Sequence, residues 1–227
     1  MKSAPEFAHI VTVDDELTAR RCAKGRVVVI DDDGEILSAL RALIELEDFA
    51  CETYESATAF LQVMSCNRPC FPGPSCVLCD VKMPELSGLA LQQRLAQLDE
   101  MPLILMSGDS GAPEAVQAFR AGAVDFLIKP MPAEAILGAI EKALSLSAAR
   151  RRSHARSHEI EACVARLTER ELQIARRVAS GETNQAIADE LGIALRSVKR
   201  HRQNVMEKLG ASSTPDLVRL LDEAARV

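Results

Sequence analysis

The sequence has no tryptophan and one tyrosine, and aromatic residues make up only 3% of its 227 positions. Its cores must therefore be packed from Leu, Val, Ile and Ala. No run of about 18 apolar residues occurs, so no transmembrane helix is expected. The stretch Met1 to Arg26 contains acidic residues and lacks a basic segment followed by an apolar run, which excludes a secretory signal. These absences lead to the expectation of a cytoplasmic protein with no membrane partner. The seven cysteines (22, 51, 66, 70, 76, 79 and 163) are then expected to be free thiols, as a reducing compartment dictates.

What is present is unevenly distributed. Residues 1–149 carry 12 Lys/Arg against 22 Asp/Glu, a net −10, and residues 150–227 carry 15 against 11, a net +4. An acidic front and a basic back place any nucleic-acid contact in the C-terminal part. The length suits two domains.

From 26 to 148, short apolar runs alternate with amphipathic stretches. Strands are expected at 26–31, 50–55, 75–80, 102–107 and 124–129. Helices are expected at 35–47, 57–64, 89–98, 113–122 and 133–146. Five strand–helix pairs predict an α/β domain with a five-stranded, parallel, doubly wound sheet. The segment AARRRSHARSHEIE (148–161) shows no apolar core face and reads as an exposed helix or a charged hinge, and the linker 148–164 is read as too polar to pack deeply. Four helical segments follow, at about 168–180, 184–191, 195–209 and 214–225, with Gly181, Gly192 and Gly210 as helix stops. They predict a second, all-α domain. The expected organisation is an N-terminal extension at 1–25, an α/β domain at 26–148, a helical linker at 149–164 and a four-helix domain at 165–227.

Functional residues fall at the carboxyl ends of the expected strands, where open parallel sheets bind ligands. Asp31, Asp32 and Asp33 follow the first strand, Asp80 ends the third, Ser107 the fourth and Lys129 the fifth. Clustered carboxylates call for a hard cation, and Mg²⁺ suits oxygen ligands. A carboxylate beside Mg²⁺, a hydroxyl and an ammonium can accept a phosphoryl group, because the cations offset charge on its oxygens. A run of three aspartates alone is more often a solvated turn. Asp33 reads as a surface or helix-capping residue.

The series VVVIDDD, CDVKMPELSG, LILMSG and GAVDFLIKP resembles the receiver domains of two-component response regulators, over about residues 26–148. The resemblance implies that Asp80 is the phosphoacceptor, that Asp32 binds Mg²⁺ directly and Asp31 through water, and that the Lys82 backbone carbonyl completes the metal set. It implies that Ser107 and Lys129 bind the phosphoryl oxygens, that Phe126 is the switching aromatic, and that the Lys129–Pro130 bond is cis. It further implies pairing through the face built by 113–121, 124–128 and 133–146. The upstream segment HIVTVDDELTAR (9–20) imitates a first strand and acidic pair, but leaves no room for the elements that would follow. Asp14 and Asp15 are read as solvated.

The stretch from Leu167 to Leu221 resembles a LuxR-type helix-turn-helix. With the receiver motifs it places the chain in the FixJ/NarL class. On the expected recognition helix 195–209, Val198, Val205 and Leu209 share an inward face. Arg196, Lys199, Arg200 and Gln203 share another that suits phosphates and the acceptor-rich major groove. The resemblance puts Lys199, Arg200 and Gln203 on base edges, and Ser197, His201 and Arg202 on the DNA backbone or in packing. Arg200 stands where the family has small or aliphatic residues. Ala194 stands where it has Ser or Thr, a lost cap costing about 1 kcal/mol. Helix 214–225 packs in the core, mediates dimerisation on DNA, or both.

The expected function is a phosphorylation-dependent transcription regulator. Its expected partners are a sensor histidine kinase, double-stranded promoter DNA, a second copy on phosphorylation and, as a further candidate, RNA polymerase. It is not expected to be an enzyme beyond self-phosphorylation and slow self-dephosphorylation at Asp80. An aspartyl-phosphate phosphohydrolase would need an aspartate two residues after the nucleophile, where this chain has Lys82. A thiol-sensing regulator is the third reading, drawn from the cluster Cys66, Cys70, Cys76 and Cys79. His154 and His158, one helical turn apart, read as exposed linker residues or a metal or pH site.

Overall fold

A computed structural model describes residues 21, 24–66, 73–96, 101–108 and 112–225. The acidic pair Asp14/Asp15 and the side chains of Cys22, Cys66 and Cys70 lie outside the described set. The chain forms two compact units, residues 1–151 and 152–227. They are considered separately.

The first unit is an open α/β sandwich. Its elements are β1 (Arg26–Ile30), α1 (Gly34–Leu46), β2 (Ala50–Tyr54), α2 (Ala57–Cys66), β3 (Ser75–Asp80), α3 (Gly88–Ala96), β4 (Leu103–Ser107), α4 (Ala112–Arg120), β5 (Asp125–Ile128) and α5 (Ala133–Ala165). All strand pairs are parallel, in the order β2-β1-β3-β4-β5. The central strands β3 and β4 are buried at every residue. Such strands are covered on both faces, which is why they read as unbroken apolar runs. Alternate residues feed two cores. Val28, Ile30, Val77, Cys79, Leu103 and Leu105 pack with Phe60, Leu91 and Ala118. Val27, Val29, Cys76, Leu78, Ile104 and Met106 pack with Leu40, Ile44 and Ile140.

The capping reading of Asp33 holds. Its carboxylate accepts from the Glu35 N–H at 2.8 Å and closes the first turn of α1. At the other end of α1, the Arg21 guanidinium donates to the Glu45 carbonyl at 3.2 Å, and the Lys24 ammonium lies 4.3 Å from the Phe49 ring centroid. Positive charge at a helix C-terminus is favoured there. Ser147 is fully buried on α5, and its hydroxyl accepts from the Ser75 N–H at 3.0 Å, tying that helix to the start of β3.

The second unit contains the end of α5 followed by α6 (Glu169–Ala179), α7 (Asn184–Leu191), α8 (Leu195–Leu209) and α9 (Thr214–Ala224). Its core joins Ile174, Val178, Ile187, Val198, Val205, Leu209 and Leu217. Helix α5 runs through 149–164, and here one expectation needs correcting. Ile160 is buried, and Cys163 and Val164 pack against this core. The spacing 160, 163, 164 is a short helical stripe, hidden because the arginines and histidines before it dominate the composition. Helices α7 and α8 both end on left-handed glycines, Gly192 (φ 62°) and Gly210 (φ 64°). That conformation favours residues without a Cβ.

Helix α6 starts with a capping box. The Thr168 hydroxyl accepts from the Glu171 N–H, and the Glu171 carboxylate accepts from the Thr168 N–H at 2.9 Å. Glu171 is 4% exposed and also takes a 2.6 Å bond from the Lys208 ammonium of α8. The Lys208 bond first, then the Thr168 N–H, hold the carboxyl at about 2, against the opposing effect of burial. Its folded value lies below the ordinary 4.5, so its contribution is complete above pH 4.5 and is lost as pH falls toward 2. Thermal unfolding followed from pH 5 to pH 2 should show this unit weakening over that window. Glu171→Gln should flatten the acid slope and cost about 1.5–3 kcal/mol at neutral pH, the worth of a charge-assisted bond.

Candidate functional site

The carboxyl edge of the sheet brings the predicted residues of the first unit together. Asp31 follows β1 and is 1% exposed; Asp80 ends β3 and is 6% exposed; Ser107 ends β4 and is 1% exposed. Lys129 lies one residue past β5, and its N–H donates to the Ser107 carbonyl at 2.7 Å. Sheet pairing thus continues one step beyond the strand and fixes the Lys129 backbone. The lysine ammonium donates to Asp31 Oδ2 and to Asp80 Oδ1, each at 2.7 Å. Burial pushes the Lys129 ammonium down, but its bonds to Asp31 and Asp80 outweigh that and hold it above the usual lysine range. The second Asp80 oxygen accepts from the Lys82 N–H at 2.6 Å, and Asp31 Oδ1 accepts from the Asp33 N–H at 3.0 Å. The Lys129–Pro130 bond is cis.

Two buried carboxylates therefore share one ammonium, and among the described residues no Lys or Arg is itself buried with them. Burying a charge without a partner is costly. Asp32, the next residue after Asp31, is exposed. The donor chemistry, all hard oxygen, fits Mg²⁺. The arrangement itself is closed around the lysine: among the described residues no three His, Cys, Asp or Glu side chains are grouped to hold a metal.

The loop after β3 depends on Gly88. Its N–H donates to the Val81 carbonyl at 3.1 Å, and a Cβ there would stand 2.3 Å from the Asp80 carbonyl oxygen. Only glycine lets the start of α3 approach the strand that ends in Asp80. Behind this loop, Gln92 is 3% exposed, and its amide donates to the Ala118 carbonyl of α4 at 2.9 Å. Neither residue was singled out from sequence. A glycine at the head of a helical pattern is a detectable signal, but the partner of a buried glutamine 26 residues away is not. Phe126 is half-buried and packs against the core formed with α2, α3 and α4. On the surface of α4 and β5, Val116, Phe119 and Ile128 are each about half exposed.

Of the cysteines, Cys76 and Cys79 are fully buried and Cys51 is half-buried. Burial pushes the Cys51 thiol up to about 12 and raises Cys76 and Cys79 further. Thiols so protonated are poor nucleophiles and poor metal ligands. His158 is exposed and lies 3.2 Å from the Glu161 carboxylate.

In the second unit, α8 presents two faces. Val198, Val205 and Leu209 are buried, and Arg196, Lys199, Arg200 and Gln203 are exposed on the other side. Ser197, His201 and Arg202 are half-buried at the margins. Ala194 makes no side-chain cap bond. The Gln203 amide donates to Glu207 at 2.9 Å.

An open parallel sheet with two acids and a lysine at its carboxyl edge is the receiver fold, and the helical unit is a helix-turn-helix with a cationic second helix. Comparison with known proteins agrees. Residues 27–141 match the response regulator receiver domain, and residues 165–221 match the bacterial regulatory proteins of the luxR family. The chain is 39% identical over 197 residues to the response regulator protein TmoT of Ectopseudomonas mendocina, covering 86% of this chain and 87% of that one. It is 38% identical over 200 residues to the transcriptional regulatory protein FixJ of Bradyrhizobium diazoefficiens, covering 87% and 94%. Among solved structures, the response regulator StyR aligns with a TM-score of 0.74 at 37% identity, over 88% of this chain and 98% of that one. Full-length FixJ from B. japonicum aligns at 0.53 and 35%, over 90% and 99%. The chain belongs to the response-regulator family, in the branch that joins a receiver to a LuxR-type DNA-binding domain. It is a DNA-binding response regulator that controls transcription. No described helix is long and apolar enough to cross a membrane.

Proposed function

We propose that Asp80 accepts a phosphoryl group from a sensor histidine kinase, and that this modification changes assembly and promoter binding. The observation that carries the reading is the meeting of the Lys129 ammonium with Asp31 and Asp80 at the sheet edge. A carboxylate oxygen of Asp80 forms the new bond to phosphorus, and the donor's leaving group departs with the electrons of the broken bond. The Lys82 N–H and the Lys129 ammonium already address the two Asp80 oxygens and can shift to the added oxygens. Asp31, Asp32, Asp80 and the Lys82 carbonyl would hold Mg²⁺, which offsets the charge of the transferring group. Ser107 sits beside the lysine as a second phosphoryl partner. The chain's only catalysis in this reading is its own phosphorylation and slow dephosphorylation.

The half-exposed Val116, Phe119 and Ile128 support pairing of two receivers through α4 and β5, with Phe126 on the same elements as the reporter of Asp80. Two recognition helices then address half-sites about one DNA turn apart. A cytoplasmic location accords with this role. The DNA side is tested by Lys199→Ala and Arg200→Ala. Each should cost about 1–3 kcal/mol on a specific site and relax sequence preference, as loss of a base contact does. Equal losses on specific and random duplexes would move that residue to the phosphate backbone.

A further inference from the structure

Arg202 is a charged residue on the inward stripe of α8 that runs through Val198, Val205 and Leu209, four residues from Val198 and three from Val205. Its guanidinium is turned away from the face of Arg196, Lys199, Arg200 and Gln203. It donates through one nitrogen to Asn184 Oδ1 at 3.1 Å and through the other to Thr214 Oγ1 at 2.7 Å. Asn184 opens α7 and Thr214 opens α9. One side chain therefore pins the first turns of two helices to the middle of the helix between them.

We infer that Arg202 is a positioning residue for DNA recognition: it sets the rotation and register of α8 against α7 and α9, and so the reach of Lys199, Arg200 and Gln203, without touching DNA itself. The inference rests on the DNA-binding reading of this unit. Its physical basis is the difference between the two kinds of contact on that stripe. Apolar burial holds α8 in place but is non-directional, so it resists small rotations weakly. A planar fork of donors satisfied at two fixed acceptors is directional. A rotation that leaves the valines buried would still break one or both bonds. Base readout tolerates little misplacement, whereas phosphate attraction tolerates much. Loss of the clamp should therefore erode specificity more than general affinity.

The test uses the full-length protein and a duplex enriched by the wild type from a random-sequence pool, with random duplex as the comparison. Arg202→Met keeps the length of the stem and removes the fork. It should weaken binding to the enriched duplex about tenfold and to random duplex less than twofold, with the salt dependence of binding unchanged. The double substitution Asn184→Ala with Thr214→Val leaves Arg202 in place and should reproduce that loss. It also serves if the Arg202 variant folds poorly. Arg202→Lys should recover only part of the affinity, because an ammonium lacks the fork. Three results would overturn the inference. One is wild-type affinity for Arg202→Met. Another is an equal loss on both duplexes with a salt slope shallower by about one, which marks a phosphate contact. The third is an unimpaired Asn184/Thr214 variant, which would put Arg202 on the DNA. A wild-type protein that enriches no duplex would instead overturn the DNA-binding reading, and the inference with it.

Discussion

Asp80→Asn is expected to abolish incorporation of phosphate from acetyl phosphate, while the wild-type protein incorporates it only with Mg²⁺ present. The asparagine amide has nearly the volume of the carboxylate and keeps one oxygen to accept from the Lys82 N–H. What it lacks is the anionic oxygen that forms the bond to phosphorus. The fold should therefore survive. Removing one of the two carboxylates that share the Lys129 ammonium also relieves local charge, so stability should hold or rise. Intact-mass measurement and a thermal melt on the same sample separate the two effects. Incorporation at the wild-type level in the variant would place the acceptor elsewhere.

Lys129→Ala should produce the opposite pattern. With the ammonium gone, Asp31 and Asp80, at 1% and 6% exposure, lose the cation they share. Removing one partner from a buried charge set typically costs about 3–5 kcal/mol. The cost should be largest in chelator and should shrink as Mg²⁺ is added, because the released carboxylates can then serve the metal. Wild type should gain less from Mg²⁺ than the variant does. Urea denaturation with and without Mg²⁺ reads this directly, and equal Mg²⁺ stabilisation of both proteins would contradict the charge accounting. Whatever phosphate the variant takes up should leave its DNA affinity little changed, because the lysine no longer carries the event from Asp80 to β5.

The fold was legible chiefly because β1, β3 and β4 are compact apolar runs with a polar residue at or just after their ends. Asp31, Asp80 and Ser107 could be placed at one edge from that pattern, and the sheet brings them there with Lys129. The inward stripe of α8 was equally plain, since Val198, Val205 and Leu209 repeat at helical spacing. The details that set the geometry were not legible. Lys129 could be put at the same edge, but not its two bonds to Asp31 and Asp80, and Gln92 reaches Ala118 across 26 residues. Nothing local distinguishes Gln92 from a solvated residue. Arg202 was left between a DNA-backbone contact and packing, and its partners are the first residues of two other helices. Ile160 was obscured by the charged segment around it. In each case the missing information was a partner, not a propensity, and partners are specified only once the chain has folded.

The claim most in need of a direct test is that modification at Asp80 changes both assembly and DNA affinity. Sedimentation of the full-length protein with and without a beryllofluoride mimic of the phosphoryl group, paired with duplex binding on the same samples, provides it. The expected result is a mainly monomeric unmodified protein, a dimer with the mimic and Mg²⁺, tighter binding to a twofold-symmetric site, and no response in Asp80→Asn. Unchanged mass and unchanged affinity in the wild type, with the mimic demonstrably bound, would contradict it.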